Sequence, residues 1–153
     1  GTGIIGCEPF MDGVAKVLTA IEAQRLDNIR LHTDDARDVV RWLPTATIAR
    51  AFILFPDPWP KKRHHKRRLV TAGFLSQLAR VMQPGAELRM ASDIGDYAGQ
   101  MLLAAQQCGE FNWLAEKPSD WRERPVDWPE TRYQHKALRE GRKSYFLRFT
   151  RRE

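Results

Sequence analysis

The sequence predicts an α/β fold with a mostly parallel sheet and helices on both faces. Three observations predict it. Short apolar runs alternate with stretches of helical periodicity along the whole chain. Acidic residues recur directly after the apolar runs, at Glu8, Asp34-Asp35, Asp57 and Asp93, where open parallel sheets bind their ligands. A chain of 153 residues with 42% hydrophobic and 29% charged side chains has the size and balance of one globular domain spanning 1–153.

Taken in order, Ile4-Ile5 before Gly6-Cys7-Glu8 reads as the end of a buried strand. Met11, Val14, Leu18 and Ile21 share one helical face, in a helix reaching about Leu26. Asn28–His32 is a second short strand, and Ala36–Leu43 a short helix stopped by Pro44. Ala51–Phe55 is uninterrupted apolar sequence, the pattern of a strand buried on both faces. A loop over Pro56–Arg68 follows. Phe74, Leu75, Leu78, Val81 and Met82 mark a helix closed by the turn residues Pro84-Gly85. Glu87–Ala91 is a strand, Tyr97–Cys108 a helix and Asn112–Ala115 a strand. A Trp- and Pro-rich loop runs through Pro129, then a short helix over Arg132–Arg139 and a last strand over Ser144–Thr150.

No stretch approaches the ~18 apolar residues of a membrane span. Gly1–Phe10 lacks the basic start and apolar centre of a signal peptide. Cys7 and Cys108 are too few for a disulfide framework or a zinc site, so free thiols in a reducing cytoplasm are expected. Gly1-Thr2-Gly3-Ile4-Ile5-Gly6 matches G-x-G-x-x-G. The match lacks a strand before it and a helix after it, so it is read as chance.

The chain carries 25 Lys+Arg against 19 Asp+Glu, net +6. Residues 61–68 read K-K-R-H-H-K-R-R, and the whole excess sits in their six cations. A localised cationic run suits a polyanionic partner, whereas a solvated loop or a nuclear-localisation-like run is the plainer account. Context favours function. In Phe55-Pro56-Asp57-Pro58-Trp59-Pro60, two prolines restrict the backbone around one carboxylate just past a strand, and Trp59 offers a face for stacking a base. The plainer account of this segment is a rigid surface turn with Trp59 in the core. By themselves Glu8 reads as a helix N-terminal acid or a ribose acceptor, and Asp34 or Asp35 as a helix cap or an acceptor for an adenine amine.

The segment Phe55–Arg68 resembles the motif F-P-D-P-W-x-K-x-R-H-x-K-R-R of the tRNA (guanine-N7-)-methyltransferase family, which uses S-adenosylmethionine. The resemblance continues through Gly6-Cys7-Glu8, Asp34-Asp35-Ala36, Met90-Ala91-Ser92-Asp93 and Thr131–Gln134, in the family's order and over nearly the whole chain. It implies a Rossmann-like methyltransferase fold and transfer of a methyl group to N7 of a guanine in tRNA, in the variable loop. The chemistry it implies needs no metal, and no membrane partner and a cytoplasmic location are expected. By the same resemblance, Glu8 is the ribose-binding acid, Asp35 lies beside the adenine, and Asp57 is the catalytic aspartate at the cofactor. Lys61 and Asp93 resemble substrate contacts, and Arg63, His64, His65, Lys66, Arg67 and Arg68 the run that meets RNA, with its cations exposed. The family's tail T-K-F-E reads Thr131-Arg132-Tyr133-Gln134 here, so Thr131, Tyr133 and Gln134 are the matching contacts, with glutamine in place of an acid.

The family's first strand and its acidic, Gly-rich cofactor loop precede the Gly6-Cys7-Glu8 region and are missing from this sequence. An incomplete domain, truncated at the amino terminus, is therefore expected. Its sheet should close the central gap by direct pairing or leave it for another segment. The 153-residue stretch alone is expected to be inactive. Two alternatives remain: an RNA-binding module without catalysis, and an amino-group methyltransferase, whose D/N-P-P-aromatic loop also follows a strand.

Overall fold

The computed structural model describes all residues, Gly1–Glu153, as two compact units, Gly1–Leu43 and Pro44–Glu153.

The first unit is a parallel strand–helix–strand followed by a helix. It comprises β1 (Ile4–Cys7), α1 (Met11–Gln24), β2 (Ile29–His32) and α2 (Ala36–Trp42). β1 and β2 pair from Ile4↔Ile29 to Cys7↔His32. The first helix stops where Arg25 turns left-handed at φ 52° and its N–H bonds the carbonyl of Glu22. α2 starts on an Asp35 cap and stops at extended Leu43, because Pro44 follows. Of the apolar face expected on α1, Val14 is buried while Met11 and Leu18 are exposed. Ile4 and Ile5 are exposed as well, on opposite faces of β1, and the only strand bonded to β1 is β2.

The second unit is a four-stranded sheet in the order β3-β4-β6-β5. Its elements are β3 (Ile48–Leu54), α3 (Ala72–Val81), β4 (Met82–Ser92), α4 (Gly95–Cys108), β5 (Phe111–Trp113), α5 (Ser119–Arg122), α6 (Arg132–Arg139) and β6 (Tyr145–Arg151). β3 and β4 are parallel, joined by α3, and β6 runs antiparallel to both β4 and β5. The α/β class and the alternation of strands and helices are as the sequence predicts.

One face of this sheet holds the core. Leu88 and Met90 of β4 and Leu147 and Phe149 of β6 are fully or nearly fully buried, as are Leu75 and Leu78 of α3 and Tyr97 and Met101 of α4. Burial of each such side chain stabilises the fold by roughly 1.5–3 kcal/mol. The opposite face carries Arg50, Phe52 and Leu54 of β3 in register with Glu87, Arg89 and Ala91 of β4. Trp128 packs with Ala91 and Phe146 there, and Leu54 and Phe55 join them.

The structure corrects several readings. β3 is not buried on both faces: Phe52 is 52% exposed, because no helix of its own unit covers that side. Pro84-Gly85 is not a turn between elements. It lies inside β4 as a bulge, where the register steps from Ile48↔Met82 to Arg50↔Glu87 and Gly85 takes φ +75°. The 56–68 segment is not loop throughout, since Lys62–Arg67 forms a 3-10 turn. α5 is also a short helix inside the segment read as loop. No helix is long and apolar enough to cross a membrane. The chain forms two separate sheets with β3 bonded only to β4, so of the two expected outcomes direct pairing across the gap is not the one seen.

Candidate functional site

In the first unit two carboxylates follow two neighbouring parallel strands. Glu8 stands one residue past β1, and its N–H extends the ladder by bonding the carbonyl of His32 at 3.0 Å. Its Oε1 accepts the N–H of Phe10 at 3.0 Å, which places the acid over the start of α1. Gly13 makes room for it, because a Cβ there would come within 2.7–2.8 Å of the Glu8 side chain. This is the close approach that only glycine allows. Asp35 caps α2: Oδ1 accepts the N–H of Arg37 at 2.8 Å and Oδ2 its guanidinium at 2.7 Å. Burial pushes the Asp35 carboxyl up, but these bonds outweigh it and hold the group below its ordinary value. Asp34 Oδ1 accepts the N–H of Asp35. His32 contributes a buried ring nitrogen, Nε2, with no hydrogen-bond partner.

These carboxylate acceptors suit the hydroxyl and amine donors of an adenosyl group. A carboxylate has about four acceptor sites, and Glu8 spends one on Phe10, leaving Oε2 free for vicinal hydroxyls. Asp35 is more fully committed to its cap.

In the second unit the Phe-Pro-Asp-Pro-Trp segment leaves β3 at an angle that ordinary residues avoid. Phe55 and Trp59 have φ of 50° and 42°, each directly before a proline. Such backbone costs of order 1–3 kcal/mol per residue and clusters at functional sites. Phe55 remains tied to β4 through its N–H to the carbonyl of Ala91 at 2.8 Å. Asp57 between them is exposed, and its one hydrogen bond is a long 3.4 Å contact from the N–H of Trp59. Asp93 stands past the neighbouring strand, one residue after β4.

The cations divide by burial. Lys61, Lys62, Arg63, Lys66 and Arg67 are exposed, and His64 and His65 are half-buried. The Arg67 guanidinium lies over the Trp59 ring at 4.9 Å from its centroid, and His64 meets the same ring edge-on at 5.9 Å. Arg68 corrects the reading of the run as a uniform RNA-contacting surface: it is 1% exposed. Its Nε donates to the carbonyl of Pro58 at 2.7 Å, Nη1 to Gln100 at 2.6 Å and Nη2 to Asp96 at 2.8 Å, while the group lies over Tyr97. Its position explains this. It ends the 3-10 turn, where its side chain points inward to α4. The Arg68 hydrogen bond holds the Asp96 carboxyl below its ordinary value.

The tail also meets the motif. Tyr133 stacks on Phe55 at 6.1 Å and 18°. Thr131 caps α6, its Oγ1 accepting the N–H of Gln134 at 3.2 Å. Gln134 is buried, at the third helical position. Two residues of this neighbourhood have no sequence signal that singles them out: Gln100 as an acceptor for Arg68, and Arg142, which grips Asp93. A cavity of about 450 Å³ lies under the 114–126 segment, lined by Leu114, Asp120, Arg124 and Arg148 among others, and holds none of the motif residues.

Residues 2–147 match a family described as "Putative methyltransferase". The chain belongs to this methyltransferase family. It is 54% identical, over its full length, to the tRNA (guanine-N(7)-)-methyltransferase of Ruegeria pomeroyi, 64% of which it covers. It is 53% identical to the protein of the same description from Paracoccus denitrificans, with 98% of this chain and 62% of that one matched. The chain thus spans about three-fifths of the length of these curated relatives. Among solved structures it resembles a tRNA (m1A58) methyltransferase from Aquifex aeolicus, with a TM-score of 0.60 and 13% identity over 99% of this chain and 54% of that one. At that identity the likeness concerns the fold, which is the Rossmann-like methyltransferase fold that the resemblance implied.

Proposed function

We propose that the whole protein transfers a methyl group from S-adenosylmethionine to N7 of a guanine in tRNA, with Asp57 as its catalytic carboxylate. The observation that carries this reading is the placement of Asp57. It is an exposed acid held past β3 between two left-handed residues and two prolines, next to a stacking ring and five exposed cations. The high identity to relatives of that description supports the choice of substrate atom.

When bound, the cofactor supplies a methyl group on a positively charged sulfur, which N7 of guanine accepts through its lone pair without losing a proton. Asp57 therefore has no proton to remove. Its carboxylate stabilises the positive charge that develops on the purine as N7 is methylated. Glu8 holds the ribose hydroxyls through its free oxygen. Asp35 borders the adenine, with its carboxylate already fixed by Arg37. Asp93 contacts the base. Lys61, Arg63, His64, His65, Lys66 and Arg67 meet the phosphates, as a sequence-tolerant electrostatic surface does. Arg68 fixes the loop that presents them. Thr131, Tyr133 and Gln134 complete the substrate side, with the Gln134 N–H held by the Thr131 hydroxyl. The site of action is the cytoplasm, where tRNA is modified.

The test is methylation of unmodified tRNA by the whole protein with labelled S-adenosylmethionine, followed by digestion to nucleosides. The label is expected in 7-methylguanosine. Label in an exocyclic amine would favour the amino-group reaction, and RNA binding with no label would favour a module without catalysis.

A further inference from the structure

Arg142 is absent from every motif above, yet it makes the closest side-chain contact to Asp93. Its Nε lies 2.9 Å and its Nη2 2.8 Å from Asp93, and both reach the same oxygen, Oδ2. Its third nitrogen, Nη1, pairs with Glu140. Oδ1 of Asp93 receives no hydrogen bond from the protein, although the side chain is only 19% exposed. A carboxylate gripped on one oxygen is held at a fixed rotation with its other oxygen presented.

The grip is itself anchored. Gly141 takes φ +72°, and the N–H of Arg142 bonds the carbonyl of Ala137 at 2.8 Å, which closes the end of α6. The start of the same helix places Tyr133 on Phe55. One short helix therefore meets the strand end that carries Asp57 through its first turn, and the chain just past its end meets the carboxylate after the adjacent strand.

We propose that Arg142 is a positioning residue, which turns Asp93 so that its free Oδ1 accepts from the N1–H and N2–H edge of the target guanine. The pair thereby selects guanine. This rests on the methyl-transfer reading above. Guanine presents two donors on the edge opposite N7. Adenine presents an unprotonated nitrogen at N1, which faces a carboxylate unfavourably, so a fixed acceptor there discriminates between purines. A buried polar group built to meet a substrate N–H rejects analogues lacking it more strongly than an apolar pocket does.

The experiment uses the whole protein and tRNA carrying guanine, hypoxanthine or 2-aminopurine at the target position. Hypoxanthine lacks the exocyclic amine and 2-aminopurine lacks N1–H. The wild type is expected to favour guanine over at least one analogue by about tenfold or more in kcat/KM, the scale of one hydrogen bond to a charged group. Arg142→Ala should bring that ratio to within about twofold of unity, and Arg142→Lys should restore part of it. Affinity for S-adenosylmethionine should stay unchanged in both. Should Arg142→Ala fail to fold, Arg142→Gln serves for the same comparison. A variant that slows all three substrates equally, keeping the wild-type ratios, overturns the proposal and leaves Arg142 a structural role. Equal use of all three bases by the wild type overturns it too. Absence of 7-methylguanosine from the wild type on ordinary tRNA is a different failure, that of the underlying reading.

Discussion

Replacing Arg68 by methionine keeps the length of the buried stem and removes the guanidinium. Three hydrogen bonds go with it, to Pro58, Gln100 and Asp96. Asp96 is mostly exposed and turns to water, so its loss contributes little. The Pro58 carbonyl and the Gln100 amide oxygen lose partners worth about 1 kcal/mol each, and an acceptor left dry adds a penalty of about 1–3 kcal/mol. A total near 3 kcal/mol follows, at the lower end of what breaking a buried charged network costs. For a chain of this size that lowers the melting temperature by roughly 10 °C. Thermal and urea unfolding measure it, with Lys66→Met on the same 3-10 turn as the control. Lys66 is exposed, and its replacement should move stability by no more than about 0.5 kcal/mol. Because Pro58 adjoins Asp57, Arg68→Met should also lower kcat at temperatures where the variant is folded. A destabilisation below about 1 kcal/mol would refute the reasoning, since Arg68 would then not be the strut that fixes this loop.

Replacing Lys61, Lys62, Arg63, Lys66 and Arg67 by glutamine should weaken tRNA binding and flatten its salt dependence, by roughly 0.7–0.9 in log–log slope for each phosphate no longer neutralised, while the melting temperature holds; an unchanged slope in a binding titration would place the RNA elsewhere. Gly13→Ala should displace the Glu8 carboxylate, because the new Cβ meets it within 3 Å, and should weaken binding of S-adenosylmethionine by about tenfold with little loss of fold; calorimetry on the whole protein measures both. Glu87 is 15% exposed and paired with Arg50, Arg89 and Arg148. Burial pushes its carboxyl up, but Arg89 and Arg148 outweigh this and hold it below its ordinary 4.5. Its stabilising contribution is therefore complete above pH 4.5 and is lost as pH falls through the lower folded value. Urea titrations between about pH 7 and 3 should show Glu87→Gln less stable than wild type near neutrality, by about 3 kcal/mol, with the difference shrinking in acid; a difference independent of pH would contradict the assignment.

Where hydrophobic period and chain punctuation agree, the fold was legible. The α6 helix falls on the expected bounds, because Thr131 is a side-chain cap just before it. β3 shows the limit. Its apolar run identifies a strand, but Phe52 is exposed, and burial depends on what packs over a sheet face rather than on the strand's own residues. Pro84-Gly85 misled for a related reason: the same residues that close a turn also suit a bulge inside a paired strand. At the site, the carboxylates at strand ends followed from topology, whereas the fate of each cation did not. Six basic residues look alike in sequence, and only the 3-10 turn sends Arg68 inward while its neighbours stay out. Arg142 lies 49 positions from Asp93, in an ordinary basic stretch, so only the folded chain pairs them.

The central claim is that the Asp57 carboxylate stabilises charge on the guanine as its N7 is methylated. Single-turnover methylation of tRNA by the whole protein, with 7-methylguanosine quantified for wild type and Asp57→Asn, tests it most directly. Asparagine keeps the shape and removes the charge. The methyl-transfer step is expected to slow by about 100-fold or more, the scale of one preorganised stabiliser removed, with tRNA and cofactor affinities near those of the wild type. A rate for Asp57→Asn close to that of the wild type would contradict it.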